Sequence, residues 1–185
     1  MEQKKLPIVV NLIGGPGVGK STIAAGLFYF LKMSGVKVEL ATEYAKDKVY
    51  DKSFKTLDDQ FYVFGKQFHR IWRLAEDNDV IITDSPIILS VFYNKMESNL
   101  FKDLVIEQYK RFNPMTYFID RETEYQTYGR CHTEEEAKSI DEGLKKILEA
   151  NDIPYMVSKT TKAVDDILAA LSRKLDINLS QRKIK

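Results

Sequence analysis

Eight residues constrain this chain more than any others: Gly14-Gly15-Pro16-Gly17-Val18-Gly19-Lys20-Ser21. The run has the form G-x-x-x-x-G-K-[ST], a phosphate-cradling loop that works between a buried strand and a helix. Both flanks agree. Ile8-Val9-Val10-Asn11-Leu12-Ile13 is a short apolar run of strand length, and Ser21 to Lys32 places Ile23, Leu27, Phe30 and Leu31 on one helical face. The glycines let backbone N–H groups turn inward around an anion, at a helix N-terminus whose dipole favours negative charge. A nucleoside triphosphate is the expected ligand. Gly15, Pro16, Gly17, Val18, Gly19, Lys20, Ser21 and Thr22 form its cradle; Lys20 reaches the terminal phosphates and the Ser21 hydroxyl holds Mg²⁺.

Further apolar runs at Lys37–Thr42, Val80–Thr83, Met115–Ile119 and Pro154–Val157 read as strands. Helical patterns separate them at 20–34, 57–77, 86–111, 133–150 and 160–175. Strands alternating with helices of this length predict a parallel sheet covered on both faces, in a three-layer α/β/α sandwich with five strands. A chain of 185 residues that is 44% hydrophobic can bury such a core as one domain, 1–185, with neither repeats nor low-complexity linkers. Thr133 and Glu136 form a capping-box pattern ahead of the stripe Ala137, Ile140, Leu144, Ile147 and Leu148. In the 57–77 helix, Leu57, Phe61, Phe64, Phe68, Ile71 and Ala75 are expected to face the core, with Trp72 packing beside them.

The net charge of +1 argues against a general attraction to nucleic acid or membrane, although three of the six residues from Ser180 to Lys185 are basic. That tail, roughly 176–185, is expected to be solvated. Cys131 is the only cysteine, so no intrachain disulfide can form, which suits a reducing compartment. No apolar run approaches a membrane span, and the residues before the first strand leave no room for a signal peptide; a cytoplasmic location is the expectation.

Ligands of open parallel sheets bind beyond the carboxyl ends of the strands. Two acids arrive there, Glu43 after the second strand and Asp84 after the third. Asp84 either organises Mg²⁺ with Ser21 or caps a helix starting at Ser85-Pro86. Glu43 either accepts a proton from an attacking hydroxyl or pairs at the surface with Lys46 or Lys48. Between Asp120 and His132 the chain carries Arg121, Gly129 and Arg130, the makings of a lid that brings guanidinium groups to a transferred phosphoryl, or else a generic loop. Gln60, Lys66, Gln67, Arg70 and Arg73 share the less apolar face of the 57–77 helix, where Gln67 could pair its amide with a base, or simply be solvated. Two histidines and one cysteine make no zinc cluster.

Taken together these residues resemble the P-loop small-molecule kinases, especially the nucleoside and nicotinamide-riboside kinase branch, from the first strand to about Tyr155. Gly14–Ser21 matches the family's Walker A. Thr42-Glu43-Tyr44-Ala45-Lys46 looks like its acidic turn after strand two, and Thr83-Asp84-Ser85 like the acid after strand three, with Ser85 where many deoxynucleoside kinases carry arginine. The helix bearing Gln67 is similar to the family's substrate helix, and Tyr128-Gly129-Arg130 to its lid. The pattern also looks like ATPase or kinase proteins of large bacteriophages, some of which act on a modified pyrimidine in DNA. The resemblance implies a P-loop NTPase fold with ATP and Mg²⁺, catalysis by Lys20, Glu43, Asp84, Arg121 and Arg130, and acceptor contacts from Glu43, Lys46, Gln67 and Arg70. It also implies a small-molecule phosphoryl acceptor, no membrane and a homodimer as one assembly.

A hydroxyl must lose a proton as it attacks phosphorus, which favours a neighbouring carboxylate; an ionised monophosphate needs arginines instead. Glu43 points to the hydroxyl, while Lys46, Arg70 and Arg73 keep the monophosphate open. Transfer to a polynucleotide or a 5-hydroxymethyl pyrimidine within it, and an ATPase switch acting on a protein partner, are the competing readings.

Overall fold

The computed structural model describes residues 6–95, 98–122, 133–177 and 179. Five strands, β1 (Ile8–Ile13), β2 (Val38–Ala41), β3 (Val80–Thr83), β4 (Pro114–Asp120) and β5 (Met156–Lys159), form one sheet in the order β2-β3-β1-β4-β5. Every pairing is parallel. The expected α/β sandwich is therefore present.

Alternation along the strands builds a core on each face of the sheet. Ile8, Val10 and Leu12 of β1, with Val80 and Ile82 of β3, pack under α1 (Lys20–Met33) and α8 (Ala163–Leu175). Val9, Ile13 and Ile81 point the other way. They meet α4 (Gln60–Trp72), α6 (Asn99–Arg111) and α7 (Glu134–Ala150). No helix among the described residues is long and apolar enough to cross a membrane.

Three helical assignments change. A short α2 (Tyr44–Tyr50) follows β2 directly, where no helix was expected. The 57–77 pattern is two helices, α3 (Phe54–Asp58) and α4, because the Asp59 carboxylate accepts the Tyr62 N–H and starts a new helix there. The 86–111 pattern likewise divides into α5 (Leu89–Tyr93) and α6.

The buried face of α4 is also rotated from the expected stripe. Gln60, Val63, Phe64, Gln67 and Ile71 are buried, whereas Phe61 is 48% exposed and Trp72 is 58% exposed, its ring stacked on His69. Two glutamines thus occupy core-facing positions that an apolar count passes over. The capping box at Thr133 is formed, with Glu136 N–H donating to the Thr133 hydroxyl at 3.2 Å and Thr133 N–H to the Glu136 carboxylate at 2.7 Å.

Candidate active site

Register explains how residues forty positions apart in sequence come together. Ala41 of β2, Thr83 of β3 and Asn11 of β1 lie side by side across the sheet. Each strand leaves the sheet one or two residues later, so Glu43, Asp84 and the glycine-rich loop emerge on the same rim. A cavity of about 410 Å³ opens there, lined by Gly14, Pro16, Lys20, Glu43 and Asp84. Ala45, Val49, Leu57, Val63, Leu89 and Tyr93 supply apolar walls.

The cradle has the geometry an anion needs. Gly17 and Gly19 sit at φ 89° and 83°, in the left-handed region that glycine enters without strain. Gly19 precedes α1, and no side chain caps that helix, so its first N–H groups are available to a ligand. Thr160 braces the loop from behind, its hydroxyl donating to Val18 O at 3.1 Å or Asp120 O at 3.0 Å. Lys20 lies inside, with Nζ donating to the carbonyls of Gly14 and Gly15 at 2.6 and 3.0 Å. Burial pushes its pKa down from 10.5; the carboxylates of Glu43, Asp84 and Asp141 oppose that shift.

Burial pushes the Glu43 carboxyl up from 4.5, and the negative charge of Asp84 adds to this while Lys20 opposes it. Glu43 occupies the N-cap position of α2 without capping it, which leaves its carboxylate to the cavity. Lys48 pairs with Asp51 instead. Asp84 caps no helix either; the Thr83 hydroxyl takes the Ser85 N–H at 3.2 Å, and α5 begins only at Leu89. Tyr93 stands near enough for the Glu43 charge to help raise its phenol pKa, after burial itself.

Of the acceptor residues expected on α4, Gln67 lines the cavity but already holds hydrogen bonds, and Arg70 does not line it. Gln67 is 3% exposed; its Oε1 accepts the Tyr44 N–H at 2.9 Å and its Nε2 lies 3.3 Å from Thr42 O and 3.4 Å from the Thr83 hydroxyl. A buried amide needs partners, and these tie the ends of β2 and β3 together. Arg70 pairs with Asp47 and donates to the carbonyl and hydroxyl of Thr42, both at 3.0 Å. Lys46 is exposed and does not line the cavity, although its charge is felt at Glu43. Gln60, buried and lining the cavity as Gln67 does, spends one N–H on Leu57 O at 2.7 Å.

Arg121 is anchored rather than swinging. Its Nη2 donates to Pro16 O at 3.0 Å and to the Asp141 carboxylate at 3.4 Å. Arg130, with Tyr128, Gly129, Cys131 and His132, lies outside the described residues. Asp141 carries no sequence motif, yet a signal is present: it falls at i+4 from Ala137 and three before Leu144, on the buried stripe of α7. A carboxylate in such a place needs a partner.

No cluster of three metal-binding side chains exists among the described residues.

A glycine-rich cradle ahead of α1, on the rim of a five-stranded parallel sheet, defines a P-loop fold of the kinase kind. An AAA domain family profile matches residues 9–164, and the chain belongs to that family. Among solved structures it is similar to a NadR protein in complex with NR (18% identity, TM-score 0.62). That match covers 82% of this chain but only 43% of the longer NadR protein. It is similar also to thymidylate kinase from Ehrlichia chaffeensis (17% identity, TM-score 0.59, covering 89% of this chain and 98% of that one). A third likeness is to shikimate kinase from Aquifex aeolicus (20% identity, TM-score 0.50, covering 90% and 98%). No curated protein matches in sequence.

Proposed function

We propose that the chain is a phosphotransferase that moves the γ-phosphoryl of ATP to a hydroxyl of a nucleoside-like small molecule. One observation carries the reading: Glu43 and Asp84 share a cavity with Lys20, and apolar side chains line the same cavity. A phosphate site alone needs neither the second acid nor the apolar lining.

In this reading Lys20 keeps its two carbonyl partners and turns its third N–H to the terminal phosphates, and the N–H groups from Gly17 to Thr22 cradle the rest. Glu43 accepts the proton of the attacking hydroxyl, whose oxygen bonds to the γ-phosphorus as the bond to the β,γ-bridging oxygen breaks and ADP leaves. Ser21 and Asp84 would hold Mg²⁺, which would neutralise phosphate charge. Val49, Leu57, Val63 and Leu89 take a ring, and Gln60 offers it a polar contact. The acids disfavour an anionic acceptor, and Arg70 is already committed to Asp47; both count against a nucleoside monophosphate. The similar NadR protein was solved in complex with NR, which agrees with a small acceptor. ATP as donor and the lone Cys131 suit a cytoplasmic setting.

The test is incubation with γ-labelled ATP and Mg²⁺ against nucleosides, nicotinamide riboside, monophosphates, and single- and double-stranded DNA. Label is expected in a small hydroxyl compound. Label in DNA would select the polynucleotide reading, label in a monophosphate the NMP-kinase reading. Label found only as free phosphate refutes phosphotransfer and favours an ATPase switch.

A further inference from the structure

We infer that Asp141 and Arg121 are positioning residues for the phosphate cradle, acting on Lys20 through a single peptide plane. The Gly14 carbonyl accepts from Lys20 Nζ at 2.6 Å, on the cavity side of the loop. The Gly15 N–H belongs to the same planar peptide unit and points the opposite way. It donates to Asp141 Oδ1 on α7. Lysine, rigid amide and carboxylate therefore form one line through the loop. Arg121, just past β4, closes the arrangement from outside, with Nη2 reaching both Asp141 Oδ2 at 3.4 Å and Pro16 O at 3.0 Å.

Both side chains are well buried, at 11% and 18% exposed, and the loop sits tight against the helix that carries Asp141. A Cβ on Gly15 would come within 2.7 Å of Ala137 O and 3.0 Å of Asp141 Oδ1. Glycine at position 15 is thus required by close approach, and the approach brings Asp141 within reach. A free lysine side chain has many rotamers to lose on binding a phosphate. Fixing the Gly14–Gly15 peptide fixes the Gly14 carbonyl, the nearer of the two that hold Nζ, so part of that ordering is complete before a ligand arrives.

This positioning role rests on triphosphate binding at the loop but not on any acceptor, so its test needs no turnover. In the nucleotide-free chain, the Gly15 amide should resist hydrogen exchange and lose that protection in Asp141→Ala. Affinity for Mg²⁺ with a non-hydrolysable ATP analogue is then measured in a cycle of Asp141→Ala, Lys20→Ala and the double variant. Asp141→Ala alone should weaken binding about tenfold, the scale of one hydrogen bond to a charged group. In the Lys20→Ala background it should cost less than about twofold, because the residue through which it acts is gone. Equal loss in both backgrounds, unchanged affinity, or an unprotected Gly15 amide in the parent overturns the inference. If Asp141→Ala fails to fold, Asp141→Leu, of similar size but unable to accept the Gly15 N–H, replaces it in the same cycle with the same criteria. Failure of the labelled-phosphate assay with a surviving cycle would reject the acceptor assignment and leave this one standing.

Discussion

At the scale of single residues the site is a balance between burial and charge. Glu43 is held above its ordinary range by desolvation first and by Asp84 second. If Glu43 is the base of the proposed transfer it must be ionised to act, so kcat/KM should fall as pH drops through that raised value, above the ordinary 4.5. Asp84→Asn removes the like charge and should move the acid limb to lower pH, whatever it costs in rate; a pH–rate profile decides. Glu43→Gln should slow turnover about 10²- to 10⁴-fold with nucleotide affinity nearly unchanged. The same variant should be more stable. The folded chain holds the Glu43 proton more tightly than the unfolded one does. Stability therefore falls as pH rises from the ordinary glutamate range through the raised value, and glutamine abolishes that slope. Chemical melts of both proteins at pH 4 and pH 7 would show it; equal slopes would remove Glu43 from its buried place.

At the scale of elements, α4 shows how far periodicity can be trusted. The glycine-rich loop, the strands and the capping box at Thr133 were all readable, because each depends on neighbours close in sequence. Where α4 begins was not, since an aspartate at position 59 competes with a continuous apolar pattern only through its own bond to Tyr62 N–H. Nor was the facing of Gln67. Its burial is tolerable only because Tyr44, Thr42 and Thr83 converge on it, and those partners come from other elements. Gln67→Leu leaves the Tyr44 N–H unsatisfied and should destabilise the fold by about 1–3 kcal/mol. It should also lower turnover, since the turn carrying Glu43 loses its tie. Asp59→Ala should cost about 1 kcal/mol without touching nucleotide affinity. Denaturant titration separates the two, and a neutral Gln67→Leu would mean that the tie is not formed.

For the molecule as a whole, stability and ligand binding share the central strands. Ile82 of β3 is fully buried between the sheet and α1. Ile82→Ala should cost about 2–5 kcal/mol, which a chain of this size tolerates poorly. A saturating ATP analogue with Mg²⁺ should offset about 2.7 kcal/mol of that at a hundred times Kd. Thermal melting with and without nucleotide tests both, and Lys20→Ala should shrink the nucleotide shift strongly. In the proposed reading the donor side of the cavity comes from the glycine-rich loop and α1, whereas Val49, Leu57 and Val63 belong to the stretch between β2 and β3. Specificity is thereby modular. Exchanging the short helices after β2 would give a related catalyst a different clientele while its energy source stayed the same.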